Sequence, residues 1–320
     1  MTPTAIKSRT SGSRLIDNMG RDLRGQVCAV IGANGLVGGA VAKNLSQRGI
    51  VWRGTCRARA RAGLYPVDIT DRAQLEKFFG EVKPAAVFQC ANLAGGVDYC
   101  ESNPEVAERF HLGATKELVR LCAAFAAVFV FISTDYVFDG TKGPYREDDG
   151  PHPLNVYGRL KLDSERWIAS NLPVHLIIRT ANVHGWDPET VTPNYLMGLC
   201  RALADGKIVN APSYLWGNPT YVGDLACALV ELVTLGASGT FHVVGPSLVN
   251  RFEWARKASA VFGFDPSRIR EVKDPPLYMV PRPLKSWLDT SAFSARCQTV
   301  LHDMEAALQL MRRDMERHAI

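Results

Sequence analysis

Apolar runs and helical patterns take turns along the first half of the chain. Gln26 to Ile31 reads as a short buried strand and Ala40 to Gln47 as a helix. Ile50 to Cys56 forms a second strand. A short third strand ends at Asp68, and a helix follows from Arg72 to Gly80, with Thr70 or Asp71 as its cap. Ala85 to Ala91 is the next buried strand. After a loop over Gly95-Gly96-Val97-Asp98, one long helix spans Pro104 to Ala124. Ala127 to Ile132 reads as a buried central strand, Tyr157 and Lys161 stand at the start of a helix that continues to about Ser170, and Val174 to Ile178 reads as a further strand. Strands that alternate with helices in this way form an α/β, doubly wound parallel sheet.

Beyond Trp186 the alternation weakens. Helices are expected at Asn194–Asp205, Val222–Leu235, Phe252–Phe262 and His302–Glu316, with a strand at Phe241–Val244. Gly217 to Tyr221 with Asp224 reads as a turn and a helix cap. The organisation is then a loose tail over 1–22, a sheet domain over 23–185 with 216–245 returning to it, and a smaller substrate lobe from 186–215 and 246–320. A short helical anchor around Leu15-Ile16 is the alternative reading of the tail.

Composition narrows the class. The chain has 320 residues, 47% hydrophobic and 22% charged, enough for one large domain or two unequal lobes. Net charge is +5, spread out except at Arg57, Arg59 and Arg61. That suits an anionic small molecule, and without a basic-aromatic patch it argues against nucleic acid. The eight cysteines show no metal spacing and several sit in apolar runs, which points to reduced thiols in a cytoplasmic setting and no metal site. No apolar run has membrane-spanning length, and residues 1–22 lack a signal-peptide core.

Two stretches carry chemistry. The first strand runs into Gly32-Ala33-Asn34-Gly35-Leu36-Val37-Gly38-Gly39 and then a helix, the context of a Rossmann-like dinucleotide turn. Gly32 would permit the tight turn, Gly35 the approach of a pyrophosphate, and Gly38 the close packing of helix on strand. The second strand ends in Cys56-Arg57, where an acidic residue would read the 2′-OH of NAD. Arginine suits the 2′-phosphate of NADP(H), with NAD(H) as the second choice; solvation of a loop is the bland alternative for these arginines. Asp68 is expected at the adenine amine, and Cys90-Ala91-Asn92 under the cofactor. The other stretch begins Ser133-Thr134-Asp135-Tyr136 and reaches Tyr157 and Lys161, four apart on one helical face. A strand-end hydroxyl, a phenol and an ammonium make a carbonyl-reducing site. The phenol moves the proton, the ammonium lowers its pKa and the hydroxyl holds the substrate oxygen. His184, at the end of the strand after it, reads as structural rather than as a site residue.

The motifs resemble those of the extended short-chain dehydrogenases/reductases, most of all the dTDP-4-dehydrorhamnose reductases, over roughly 26–316. The segments that carry the resemblance are STDYVFDG at 133–140, PLNVYG with its lysine at 153–161, PVDITD at 66–71, VDxxE at 97–101, RT at 179–180, GNPTY at 217–221 and FHVVG at 241–245. The resemblance implies NADPH-dependent reduction of the C4 ketone of a nucleotide-linked 6-deoxy sugar. It implies Thr134, Tyr157 and Lys161 as the catalytic set, supported by Ser133 and Asp135. For the cofactor it implies Gly32, Asn34, Gly35, Leu36, Val37, Gly38, Arg57, Asp68, Ile69, Cys90, Ala91, Asn92, Ala181 and Val183, with Tyr157 and Lys161. For the substrate it implies Val97, Asp98, Tyr136, Asn182 and Arg282. A homodimer is the expected assembly, and magnesium at an oligomer contact is left open. The sequence departs from the family pattern at Cys90 and near His111, where asparagines are usual, at Ala94-Gly95, where a polar group is common, and at Asn182, where an aromatic is usual.

Two rival readings share this pattern. A nucleotide-sugar dehydratase would follow the strand-end hydroxyl with Asp-Glu, but here Tyr136 follows Asp135. A non-catalytic NADP-binding subunit, resembling the β subunit of methionine adenosyltransferase, would keep the fold without the reaction. The intact Thr134/Tyr157/Lys161 set favours a reductase, on this or another keto substrate.

Overall fold

The computed structural model describes residues 21–57, 62–190, 192–277 and 280–318. Arg59, Arg61 and the Leu15-Ile16 segment lie outside the described residues. The described chain is already anchored at its start: Arg21 Nη1 donates to the Ala85 carbonyl at 2.9 Å, and Leu23 is buried.

Seven parallel strands form the central sheet. In chain order they are β1 (Val27–Ile31), β2 (Val51–Cys56), β3 (Leu64–Pro66), β4 (Ala86–Gln89), β5 (Val128–Thr134), β6 (His175–Thr180) and β7 (Gly239–His242). Their spatial order is β7-β6-β5-β4-β1-β2-β3. The order reverses between β1 and β4, so a crevice opens at the carboxyl ends of these two strands. Strands β1, β4 and β5 are apolar on both faces because both faces are covered. One face packs on helices α1 (Leu36–Gln47) and α8 (Val222–Thr234), the other on α2 (Arg72–Val82), α5 (Ala114–Ala124) and α6 (Val156–Asn171). The remaining helices are α3 (Gly96–Ser102), α4 (Pro104–Glu108), α7 (Tyr195–Ala204), α9 (Arg251–Val261), α10 (Ser291–Ser294) and α11 (Met304–Arg317). A separate apolar cluster joins α7, α9 and α11 around Trp254, Leu196 and Leu308.

Five expectations need correction. Helix α1 begins at Leu36, not Ala40, because Gly38 and Gly39 are helical. A Cβ on Gly38 would lie 2.2 Å from the Gly32 carbonyl oxygen, so this turn of helix packs against the glycine loop and tolerates no side chain. Strand β3 stops at Pro66, which has no N–H to extend the ladder, and not at Asp68. The Gly95–Asp98 loop is largely the short helix α3. The long helix expected over Pro104–Ala124 is broken by a π-helical segment at Arg109–Gly113. Asp71 caps α2 as expected, accepting from the Gln74 N–H. Asp224 is not a cap. Its carboxylate accepts from the backbone N–H and Nδ1 of His302, both at 2.8 Å, and so fastens the approach to α11 onto α8.

Candidate functional site

The crevice places the glycine turn of β1–α1 beside the ends of β4 and β5. Helix α1 starts without a side-chain cap at Gly35, so no side chain occupies the N–H groups of its first turn. Asn34, Leu36 and Val37 lie in this turn, and Cys90, Ala91 and Asn92 follow β4 opposite. The Ala91 N–H donates to Gln89 Oε1 at 3.0 Å, which fixes the chain direction there. At the end of β2, Arg57 Nε lies 3.6 Å from Asp68 Oδ2, and Asp68 also accepts from the backbone N–H and hydroxyl of Thr70. The residues expected at the 2′-phosphate and at the adenine are thus neighbours. Ile69 beside them is buried in the core. Ala181 is placed differently from the expectation. Its methyl sits in a core cluster with Val137, Phe138 and Leu288, so any cofactor contact would fall to its backbone, while Val183 packs at the edge of the sheet core.

Tyr157 is set by the start of α6. Asn155 caps this helix, accepting from the Gly158 N–H at 2.9 Å, and its amide donates to the Pro281 carbonyl at 2.8 Å. Glu101 accepts from the Val156 N–H at 2.9 Å. Gly158 is required because a Cβ there would meet the Tyr136 carbonyl oxygen at 2.3 Å. The Tyr157 ring packs edge-on to His111 at 5.4 Å and to Tyr136 at 6.0 Å. Burial raises the phenol above its ordinary pKa, and the nearby Thr134 hydroxyl pulls it down.

Lys161 lies one turn on. Its ammonium donates to the Ile132 carbonyl at 2.9 Å and sits over the Phe131 ring at 4.7 Å. Burial lowers its pKa to about 8, while the Glu165 carboxylate pulls the other way. Burial, not the neighbouring ammonium, is the largest influence on the Tyr157 phenol in this unliganded arrangement.

The two strand-end hydroxyls part company. Thr134 Oγ1 donates to Asp135 Oδ1 at 3.0 Å and accepts from the Tyr136 N–H at 3.2 Å. To hold a substrate oxygen as expected, Thr134 must turn its proton away from Asp135. Ser133 does not reach the site. Its hydroxyl donates to Glu165, which is paired with Arg179 at 2.8 Å in the buried interior. Asp135, whose pKa is raised by burial, accepts from Ser286 on its second oxygen.

The substrate side gathers residues from four segments. Arg282 Nη2 donates to Asp98 Oδ2 at 2.7 Å and lies beside the Tyr136 phenol. Val97 precedes Asp98 on α3. Asn182 sits in the left-handed region at φ 49°, and its Oδ1 accepts from Arg251 Nη2. Sequence reasoning missed Arg251 and Ser286, because their partners come from distant segments. It also missed the role of the π-helical segment, which turns the His111 carbonyl to accept from Ser164 of α6 at 3.2 Å and its ring to Tyr157. His184 is fully buried against Trp254, in keeping with the structural reading. No group of His, Cys, Asp and Glu able to hold a metal occurs among the described residues.

Comparison with known proteins gives these features a family. Residues 27–317 match the RmlD substrate binding domain. The chain belongs to that family. Within it, the chain is 31% identical over 268 residues to the methionine adenosyltransferase 2 subunit beta of Xenopus laevis, covering 82% of this chain and 80% of that one. It is also 31% identical over 295 residues to the dTDP-4-dehydrorhamnose reductase of Mycolicibacterium smegmatis, covering 90% and 85%. The fold matches the Bacillus anthracis dTDP-4-dehydrorhamnose reductase solved with NADP, with a TM-score of 0.81 at 22% identity, covering 90% of this chain and 99% of that one. The seven-stranded parallel sheet is therefore the extended short-chain dehydrogenase/reductase fold of this family.

Proposed function

We propose that this chain is an NADPH-dependent reductase of a nucleotide-linked 4-keto-6-deoxy sugar, with Tyr157 as the proton donor. The observation that carries the reading is the meeting of Thr134, Tyr157 and Lys161 at the end of β5, beside the glycine turn. Hydride from the nicotinamide adds to C4 while the Tyr157 phenol gives its proton to the oxygen. Lys161 holds the nicotinamide ribose and offers positive charge to the phenolate. Thr134, freed from Asp135, donates to the developing oxyanion, a contact worth roughly 3–4 kcal/mol of barrier. The N–H groups at the start of α1 would hold the cofactor's phosphates, and Asp98, Tyr136, Asn182 and Arg282 would receive the sugar nucleotide.

The test is NADPH oxidation with dTDP-4-keto-6-deoxymannose, followed by absorbance. Turnover supports the reading, and no turnover with NADPH tightly bound overturns it. That second result would favour the NADP-binding subunit role, which the likeness to methionine adenosyltransferase 2 subunit beta keeps in view.

Two further outcomes follow from the site. Arg57→Ala weakens NADPH by about tenfold or more while NADH changes little, because only the 2′-phosphate is lost to the guanidinium. Equal losses in a fluorescence titration of both cofactors would show that Arg57 does not read that phosphate. The second concerns pH. The folded pKa of Lys161, about 8, lies below its ordinary value of 10.5, so the ammonium is lost as pH rises through about 8. The Tyr157 phenol, raised by burial, stays protonated through that range. The kcat/KM for reduction is therefore level on the acid side and falls above pH about 8. A profile flat to pH ~10 would remove Lys161 as the titrating group.

A further inference from the structure

The substrate side holds a cation that makes no ion pair with a carboxylate among the described residues. Arg251, the first residue of α9, stacks on the Tyr195 ring at 4.6 Å and the Trp254 ring at 5.1 Å. Its Nη2 donates to Asn182 Oδ1 at 2.5 Å, so the guanidinium is held in one orientation. Among the described residues it makes no ion pair, whereas Arg282 is paired with Asp98 at 2.7 Å. Asp135 feels the charge of Arg251, but both Asp135 oxygens are already engaged, by Thr134 and by Ser286. A guanidinium whose only task was to balance Asp135 would bond to it directly. The charge of both arginines reaches the Tyr136 phenol, and the Tyr136 ring packs edge-on to Tyr157. Keeping such a half-buried cation without an ion pair is unfavourable, and an arriving anion offsets that cost.

We propose that Arg251, oriented by Asn182, docks an oxyanion of the substrate. The inference rests on the nucleotide-sugar reading above and adds to it a residue that selects the substrate. Two sources of the oxyanion share this chemistry: the pyrophosphate that links nucleoside to sugar, present in a 6-deoxy sugar nucleotide, and the C6 carboxylate of a uronic acid, which would replace the 6-deoxy sugar as substrate. Either meets the planar fork of the guanidinium with paired N–H···O bonds.

The test uses the NADP-loaded full chain, titrated calorimetrically with dTDP and, separately, with D-glucuronate. Arg251→Met keeps the apolar stem between the two rings and removes the charge. If the pyrophosphate is the source, dTDP binds about 10- to 100-fold more weakly to this variant while NADPH affinity is unchanged. If a sugar carboxylate is the source, glucuronate weakens by a similar factor and dTDP does not. Unchanged affinity for both probes overturns the role of Arg251. Wild-type protein that binds neither probe overturns the nucleotide-sugar reading itself, so the two failures are distinct. Should Arg251→Met lose NADPH affinity, Arg251→Lys serves instead. It keeps a charge without the fork, and its expected loss is about 3- to 10-fold for the same probe. Wild-type affinity of Arg251→Lys for both probes would then overturn the proposal.

Discussion

Tyr157→Phe lowers kcat for ketone reduction by roughly a thousandfold and leaves NADPH affinity within about twofold of wild type. Only one oxygen is removed. The ring keeps its packing against His111 and Tyr136, and Lys161 keeps its bond to the Ile132 carbonyl, so the cofactor half is undisturbed. The loss falls on kcat because the proton is transferred only in the transition state. Pre-steady-state and steady-state rates on the variant check this. Wild-type turnover in Tyr157→Phe would reject the assigned acid.

Glu165→Ala unfolds more easily than wild type by about 3–5 kcal/mol, the usual effect of stripping one partner from a buried ion pair. Glu165 lies two turns after Tyr157 on α6. It accepts from Arg179 Nε at 3.1 and 3.3 Å, from Arg179 Nη2 at 2.8 Å and from the Ser133 hydroxyl. Removing it leaves a buried guanidinium with the Glu147 carbonyl, the His242 ring and the face of Phe138 nearby, and no carboxylate bonded to it. His242 gives no relief as an anion, and burial together with Arg179 holds its pKa down at about 4, so it stays neutral. Because β5 and β6 are adjacent, with Ser133 opposite Arg179, the ends of these strands loosen directly under Thr134. Urea unfolding of the NADP-loaded protein measures the difference. A loss below about 1 kcal/mol would mean the pair is replaced by water or by a rearranged Arg179.

The parts of this fold that were legible in the sequence are those that depend on neighbours in the chain. The apolar runs that became β1, β4 and β5 are continuous because both sheet faces are covered. Tyr157 and Lys161 share a face through helical spacing alone. Asp71 could be read as a cap because its partner is three residues away. What escaped depends on distant partners or on packing. The close packing expected at Gly38 is present, but Gly38 and Gly39 already belong to the helix expected to begin at Ala40. The π-helical segment leaves the local periodicity intact and shows only in the contact between His111 and α6. Asp224 has the sequence position of a cap, but its partner, His302, is 78 residues away. Ser133 and Thr134 are adjacent hydroxyls that the strand sends to different partners, one to Glu165 and the other to Asp135. Arg251 shares helical i,i+3 spacing with Trp254, but it is held by Asn182 and Tyr195, 69 and 56 residues away, which no spacing rule connects to it.

The central claim is a hydride transfer to C4 of a sugar, and the label tests it most directly. NADPH deuterated at both C4 positions of the nicotinamide is incubated with the protein and dTDP-4-keto-6-deoxymannose, and the sugar product is read by NMR. The account predicts one deuterium on the new carbinol carbon at C4, and almost none in Tyr157→Phe over the same time. Product without deuterium at C4, or an unconverted ketone alongside tightly bound NADPH, would contradict it.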